Sequence, residues 1–389
     1  RKASLARRLF VGLRIPSPAL EKHTLDRYLE VLGEMGVPVV HSGPELGDWK
    51  RDQAARTIKP PLKICLMQTA FLGDCVLTLP LLRKTAEAFP GAKITVVTRP
   101  ETAGVFSACG IAAEIIEDRK KTAPSGLAEF RRLAGELRSR SFDAAIIPHR
   151  SLRTALLAWR AGIPARVGFS SSAGSFLLTH KVQFSWLLHD VERNLALLSP
   201  LAADLKSPFP GLKPEGGAPF GPADRIAVGI NAGSAWPTKR WPQENWARLI
   251  RKITDARGGR VLLVGGPGEK DWNAGIERLA GPERCLNLTG KTTMPELMEA
   301  IRPLKVFISN DSGPMHIAAA LGVPAVGIFG PTTRELGFFP YGPDNAVVET
   351  PLACRPCALH GSKRCPRGHF LCMKLLTVDE VFAAAAPRF

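Results

Sequence analysis

Val306-Phe307-Ile308-Ser309-Asn310-Asp311-Ser312-Gly313-Pro314-Met315-His316-Ile317-Ala318-Ala319-Ala320-Leu321-Gly322 decides the fold. The apolar run at its start reads as a buried strand. The alanine-rich run reads as a helix that stops at Gly322, with Pro324 just beyond. Between them lies a tight polar turn onto a helix N-terminus, where the first N–H groups have no partner within the helix and favour an anion. Asp311 or Ser312 is the cap, Gly313 lets a ligand approach the backbone, Pro314 and Met315 fill the first turn, and His316 faces the same opening. An ordinary capped helix has the same pattern, so this turn alone names no ligand.

Working outward, the same alternation recurs in two rounds. The first contains apolar runs at Lys63–Met67, Ile94–Val97 and Ala144–Ile147, with helical patterns over Leu79–Phe89 and Gly126–Arg138. The second contains Ile226–Ile230, Val261–Val264, Val306–Ile308 and Ala325–Phe329. Short continuous apolar runs suit strands covered on both faces, and strands alternating with helices imply parallel βαβ units. A Pro- and Gly-rich stretch without apolar period separates the rounds. The sequence therefore predicts an α/β protein of two Rossmann-like, doubly wound domains facing across a cleft. The expected boundaries are an N-terminal extension over 1–60, a first domain over 61–207, a linker over 208–223, a second domain over 224–376 and a final helix over 377–389.

The chain has 389 residues, 45% of them hydrophobic and 22% charged, enough for two real cores. No apolar run spans a bilayer uninterrupted, and no secretory signal is visible, although the sequence starts at Arg1. A net charge of +17 implies an anionic partner. Nucleic acid fits poorly, because there are two tyrosines and no zinc-finger or RNA-binding signature.

Three further strand ends carry candidate residues. After Lys63–Met67 comes Gln68-Thr69-Ala70-Phe71-Leu72-Gly73-Asp74, where Gly73 permits a tight turn and Asp74 opens a helix. Aspartate is favoured there by capping and the helix dipole alone; a carboxylate at a cleft mouth can equally accept a proton from a bound hydroxyl. The loop lacks the Gly-x-Gly-x-x-Gly spacing of a dinucleotide site, which argues against a dehydrogenase. After Ile226–Ile230, Asn231-Ala232-Gly233-Ser234 leaves room for phosphates that Lys239 would meet, although most lysines are simply solvated. After Val261–Val264, Gly265-Gly266-Pro267-Gly268-Glu269 offers a carboxylate to a ribose hydroxyl, or merely to water.

Together, Gly73-Asp74 with Leu79-Pro80, Lys239-Arg240-Trp241-Pro242, Asp311-Ser312-Gly313-Pro314-Met315-His316 and Phe329-Gly330-Pro331-Thr332 resemble the motifs of glycosyltransferase family 9, the ADP-heptose:lipopolysaccharide heptosyltransferases. The linking segment Arg166-Val167-Gly168-Phe169 resembles the family's Arg-x-Gly-Phe, and Cys354 to Met373 looks like the heptosyltransferase II branch. The resemblance covers roughly residues 62–385. It implies GT-B architecture and an inverting transfer of heptose from ADP-L-glycero-D-manno-heptose to the lipopolysaccharide inner core, with no cofactor required for catalysis. Asp74 would be the general base. Lys239 would hold the diphosphate, the N–H groups at Ser312 and Gly313 would cradle it, Asp311 would bond heptose hydroxyls, and His316 would assist there. Glu269 and Thr292 fall near positions that touch adenosine. Ser312 departs from the family's usual threonine but keeps the hydroxyl.

Lipopolysaccharide inner core carries carboxylates and phosphates, which Arg99, Arg150 and Arg153 at first-domain strand ends would bind as the acceptor side, ringed by Arg119-Lys120-Lys121. Solvated surface charge is the alternative for each. Cys65, Cys75, Cys109 and Cys285 lie in apolar contexts and read as buried thiols. Cys354, Cys357, Cys365 and Cys372 cluster, suggesting a structural zinc or iron knot, or reduced thiols bracing a loop. Thr377-Val378-Asp379-Glu380 is a capping box for the last helix. In the extension, His23, Arg27, Leu29 and Leu32 echo His189, Arg193, Leu195 and Leu198, and Arg7-Arg8-Leu9-Phe10 could touch an acidic membrane face. The expected setting is cytoplasmic, with peripheral contact at the inner face of the inner membrane. A nucleotide-sugar epimerase of the same architecture, and a non-catalytic sugar-nucleotide or anionic-glycan binding protein, are the alternatives.

Overall fold

In the computed structural model, residues 63–389 are described except 121, 202–205, 210, 215–216 and 222–225. The extension, with its echo and its membrane-facing start, lies outside the described residues, as do Lys121 and parts of the linker. The rest forms two six-stranded parallel sheets.

The first sheet runs in the order β3-β2-β1-β4-β5-β6. Its strands are β1 (Lys63–Met67), β2 (Lys93–Thr98), β3 (Glu114–Glu117), β4 (Ala144–Ile147), β5 (Ala165–Phe169) and β6 (His180–Val182). Between them run α1 (Leu72–Leu77), α2 (Leu79–Ala88), α3 (Pro100–Ala108), α4 (Gly126–Ser139) and α5 (Leu152–Arg160). Helix α6 (Asp190–Ala196) follows. The segment Arg166–Phe169, expected to link elements, is instead strand β5, paired with β4 and β6. Its alternate residues Val167 and Phe169 are buried, which a strand achieves and a free linker does not.

The second sheet runs β12-β11-β10-β7-β8-β9. It comprises β7 (Val228–Asn231), β8 (Val261–Val264), β9 (Cys285–Asn287), β10 (Val306–Asn310), β11 (Ala325–Phe329) and β12 (Ala346–Glu349). The helices are α7 (Gln243–Arg257), α8 (Lys270–Ala280), α9 (Met294–Ile301), α10 (Gly313–Ala320), α11 (Leu371–Lys374) and α12 (Val378–Ala385). Trp241 and Trp246 stack edge-to-face at 5.2 Å, and the Trp241 indole donates to Leu376 O at 3.0 Å, drawing the C-terminal segment onto this domain. Helix α12 then packs Val381 and Ala385 into the same core, so it is part of the second domain. It starts on Thr377, whose hydroxyl accepts from Glu380 N as the sequence motif requires.

In each sheet the strand order reverses at the first strand, between β1 and β4 and between β7 and β10. Doubly wound sheets bind ligands at the carboxyl ends of the strands beside this switch point, because the loops there diverge to opposite faces and leave a crevice. The four loops so placed follow Met67, Ile147, Asn231 and Asn310. Three of them are the loops that carry the motifs, and the fourth carries Arg150.

Candidate active site

The carboxyl ends of both sheets face one cleft of about 600 Å³. From the first domain it is lined by Phe71, Gly73, Asp74 and Arg99. From the second it is lined by Asn231, Ser234, Lys239, Glu269, Thr292, Asp311, Ser312, Gly313, Pro314 and His316. Met315 is not on that wall; it is fully buried beneath it, against Gly327.

Asp74 occupies the third position of α1 and accepts a hydrogen bond from Phe71 N at 3.1 Å. It is therefore both the helix-terminal aspartate and the cleft-lining carboxylate. Loss of water around the group, then the charge of Asp190, push its pKa up to about 7, against smaller opposing effects from backbone N–H groups and Arg150. A carboxylate with that proton affinity suits general-base work near neutrality.

Opposite it, Lys239 Nζ lies 2.6 Å from Asp311 Oδ2, and Thr332 donates to the same oxygen at 2.6 Å. Both members of the ion pair are buried. Ser312 is the N-cap of α10 by backbone geometry, but its side chain makes no cap bond. Its Oγ instead accepts from Asn231 Nδ2 at 2.6 Å, and Asn231 Nδ2 also reaches Ser309 Oγ at 3.1 Å. That network ties the ends of β7 and β10 together and leaves the first-turn N–H groups of α10 toward the cleft. Thr332, which sequence reasoning left out of the site although it lay inside a quoted motif, is the partner that fixes Asp311.

His316 is buried, and burial lowers its pKa to about 4, opposed by the Asp311 charge and helped by that of Lys239, so it is neutral at pH 7. Its ring faces the first domain: a Cβ at Gly73 would sit 3.0 Å from His316 Cδ2. A small residue at 73 therefore lets the two motif loops meet. At Gly233 a Cβ would lie 2.0 Å from Glu269 Oε1, so the Glu269 carboxylate fits against bare backbone, where it accepts from Gly266 N at 2.8 Å. Thr292 lines the same side of the cleft.

The three arginines are placed differently. Arg99 lines the cleft beside Phe71, its side chain donating to Ala70 O. Arg150 lies with its guanidinium 4.0 Å from the Phe184 ring centre and 5.3 Å from that of Trp186, close enough to Asp74 to act on its charge. Arg153 is engaged elsewhere, bonded to the buried Asp118 at 2.7 Å, with its Nη2 buried and unpartnered. Arg119 pairs with Glu117 at 3.0 Å.

The cysteine expectations divide. Cys65, Cys75, Cys109 and Cys285 are buried free thiols. At Cys354, Cys357, Cys365 and Cys372 the four thiols lie close enough for Cys354 and Cys365 to raise the pKa of Cys357, and for the other three to raise that of Cys372, after burial, while among the described residues no three His, Cys, Asp or Glu side chains come together as a metal-binding group. Other contacts hold the loop. Cys354 Sγ is 3.8 Å from His369 Nε2 and Cys357 Sγ points to Pro331 O at 3.8 Å. Arg355 donates to Phe329 O at 3.1 Å, Thr332 O at 2.8 Å and Glu349 at 2.6 Å. Ser362 and Thr238 exchange hydrogen bonds of 2.8 and 2.9 Å, so the loop buttresses the turn bearing Lys239, and His360 on it reaches the cleft.

Among the described residues no helix is long and apolar enough to cross a membrane. The family model described as glycosyltransferase family 9 (heptosyltransferase) matches residues 130–366, a stretch that begins after Asp74. Lipopolysaccharide heptosyltransferase 2 of Escherichia coli (strain K12) is 30% identical, covering 70% of this chain and 84% of that protein. Lipooligosaccharide heptosyltransferase 2 of Campylobacter jejuni is 29% identical, over 83% of this chain and 97% of that one. A solved glycosyl transferase family 9 structure from Veillonella parvula covers 84% of this chain and 96% of its own, with a TM-score of 0.71 at 24% identity. The structure of E. coli ADP-heptose lps heptosyltransferase II covers 84% of this chain and 98% of its own, with a TM-score of 0.66 at 22% identity, a likeness of fold. With its two parallel sheets facing one cleft, the chain belongs to glycosyltransferase family 9, the heptosyltransferases, and is a glycosyltransferase.

Proposed function

We propose that the protein transfers heptose from ADP-L-glycero-D-manno-heptose to a hydroxyl of the lipopolysaccharide inner core, with inversion at the anomeric carbon. The observation that carries the reading is the pairing of sites across the cleft: a raised-pKa carboxylate on one domain faces a lysine and an open helix N-terminus on the other. The acceptor oxygen attacks the anomeric carbon as its proton passes to Asp74, and the bond to the β-phosphate oxygen breaks. Lys239 and the first-turn N–H groups of α10 stabilise the charge gathering on departing ADP. Asp311 already holds Lys239, so the diphosphate would share that lysine, and Asp311 would turn its remaining capacity to the sugar hydroxyls. Glu269 and Thr292 would meet the adenosine, and Arg99 and Arg150 the anionic acceptor. Arg153, held by Asp118, would support that side from beneath.

The acceptor is lipid-linked, so the enzyme would work at the cytoplasmic face of the inner membrane, its charge of +17 drawn to acidic lipid. The support from relatives is their printed activity, lipopolysaccharide or lipooligosaccharide heptosyl transfer. The test is ADP release from ADP-heptose in the presence of heptose-deficient core acceptor. Wild type should turn over only with acceptor present, and Asp74→Asn should lose at least a thousandfold in kcat while still binding ADP. ADP-heptose consumed at the same rate without acceptor would refute transfer.

A further inference from the structure

The pattern of His189, Arg193 and Leu195, singled out in the sequence and unused by the reaction, opens helix α6 at the seam between the domains. Three bonds cross from it to the second-domain loop after β11. Asp190 N donates to Gly337 O at 2.8 Å, His189 Nε2 donates to Phe339 O at 2.8 Å, and Arg193 Nη2 donates to Leu336 O at 2.9 Å. Val191 N donates to His189 Nδ1 at 3.1 Å, so the neutral ring carries its proton on Nε2, toward Phe339. Arg193 is 1% exposed, so its donors must find protein partners. Its Nε donates to Ser185 O at 2.8 Å and its Nη2 also to Trp186 O at 3.1 Å, both in the segment that leads from β6 into α6. Its guanidinium lies 5.1 Å from the ring centre of Trp186 on that segment and 5.4 Å from that of Phe338 on the second domain. A planar fork of five donors can serve two domains at once, which a point charge cannot.

Both ends of this crossing lead to the cleft. On the first domain, Asn194 Nδ2 of α6 donates to Leu77 O at 3.3 Å, at the end of α1, the helix that carries Asp74. Leu77, Val191 and Leu195 pack there with Phe338 and Tyr341 of the second domain. On the second domain, Leu336 and Phe338 line the cleft, and the start of the same loop holds Thr332, which bonds Asp311 at 2.6 Å. We propose that Arg193 is a positioning residue for the transfer: with His189 it ties α6 to the loop at Leu336–Phe339 and so fixes the span between Asp74 and the Lys239–Asp311 pair. The inference rests on heptosyl transfer with Asp74 as the base, since only a reaction that uses both walls needs their separation held. Groups on separate domains must meet within narrow limits, and a displacement of about 1 Å costs on the order of a hundredfold in rate. The crossing is as close as bare backbone permits. Gly337 has a φ of +78°, and a Cβ there would lie 2.6 Å from both Arg193 Nη2 and Leu188 O.

The test separates kcat from donor binding in the full chain. Arg193→Met and Gly337→Ala should each lower kcat for ADP release by about tenfold or more. The Kd for ADP, read by titration calorimetry, should stay within about twofold of wild type. It is spared because Arg355 holds Thr332 O at 2.8 Å independently of the seam. In hydrogen exchange, the peptide over α6 should open about tenfold faster in both variants, with β7 and β10 as in wild type. Gly337→Ala removes no buried charge and carries the test if Arg193→Met does not fold. Wild-type kcat in folded Gly337→Ala, unchanged exchange over α6, or ADP affinity falling in step with kcat would each overturn the proposal. If wild type turns over and Gly337→Ala is unaffected, this inference falls alone. If wild type releases no ADP with core acceptor, the transfer reading falls and takes the inference with it.

Discussion

At the scale of single residues, Lys239 and Asp311 form a buried ion pair on the cleft wall. Both groups are largely removed from water, so truncating one strands the other. Lys239→Ala should cost about 3 kcal/mol of stability, since Thr332 still bonds Asp311. It should also weaken ADP binding by more than tenfold, read by titration calorimetry on the folded fraction. An unchanged ADP affinity would mean that the lysine serves only the aspartate. Asp74 makes its own prediction. Its pKa lies near 7, above the ordinary 3.8, so the base form grows as pH rises through that value. Turnover should therefore climb about tenfold between pH 6 and pH 8 and then flatten.

At the scale of elements, the strands at the switch points position the chemistry, and their packing leaves little slack. Gly229 in β7 lies against Leu304 and Phe307; a Cβ there would sit 2.6 Å from Phe307 Cδ2. Gly229→Ala should destabilise by about 1–3 kcal/mol through overpacking, seen as a lower urea midpoint. Activity per folded molecule should persist, because the strand end at Asn231 is fixed by its own bonds to Ser309 and Ser312. Several elements were legible from the sequence, among them the α10 turn and the Thr377 capping box. Their signals are local: a cap, a breaker or an apolar run. Strand β5 was missed because its alternation, with Arg166 at its start, reads as weakly as a linker, and only pairing with β4 and β6 makes it a strand.

At the scale of the whole molecule, acid should loosen the protein. Burial holds His149, His189 and His316 at about 4, 3 and 4, below the ordinary 6.5. Between those values the unfolded chain binds protons that the folded chain refuses, so stability is lost as pH falls from 6.5 toward 4. Asp74 contributes with the opposite sign between 3.8 and about 7, since its folded form holds a proton more tightly, and burial likewise raises Asp118, Asp190, Glu269 and Glu349. The histidine share is therefore read by difference: His149→Gln should lose less melting temperature than wild type between pH 6.5 and pH 4.5 in scanning calorimetry, and equal losses would contradict a neutral ring at 149. At His189 the added proton falls on Nδ1, which accepts from Val191 N at 3.1 Å, so acid would break that cap at the start of α6 while the Nε2–H bond to Phe339 O persists.

The sequence by itself determined the two-round α/β architecture and named part of the cleft wall, because strand ends, glycine turns and helix caps are signalled within a few residues of themselves. Tertiary structure alone decided the partnerships. It joined Lys239 to Asp311, took Arg153 away to Asp118, and set Arg355 of the cysteine loop against Thr332 and Glu349. The physical reason is distance along the chain. Charges that are 35 or more residues apart meet only through the packing of strands and helices far apart in the chain, and their proton affinities are set by burial and neighbours that no local pattern encodes.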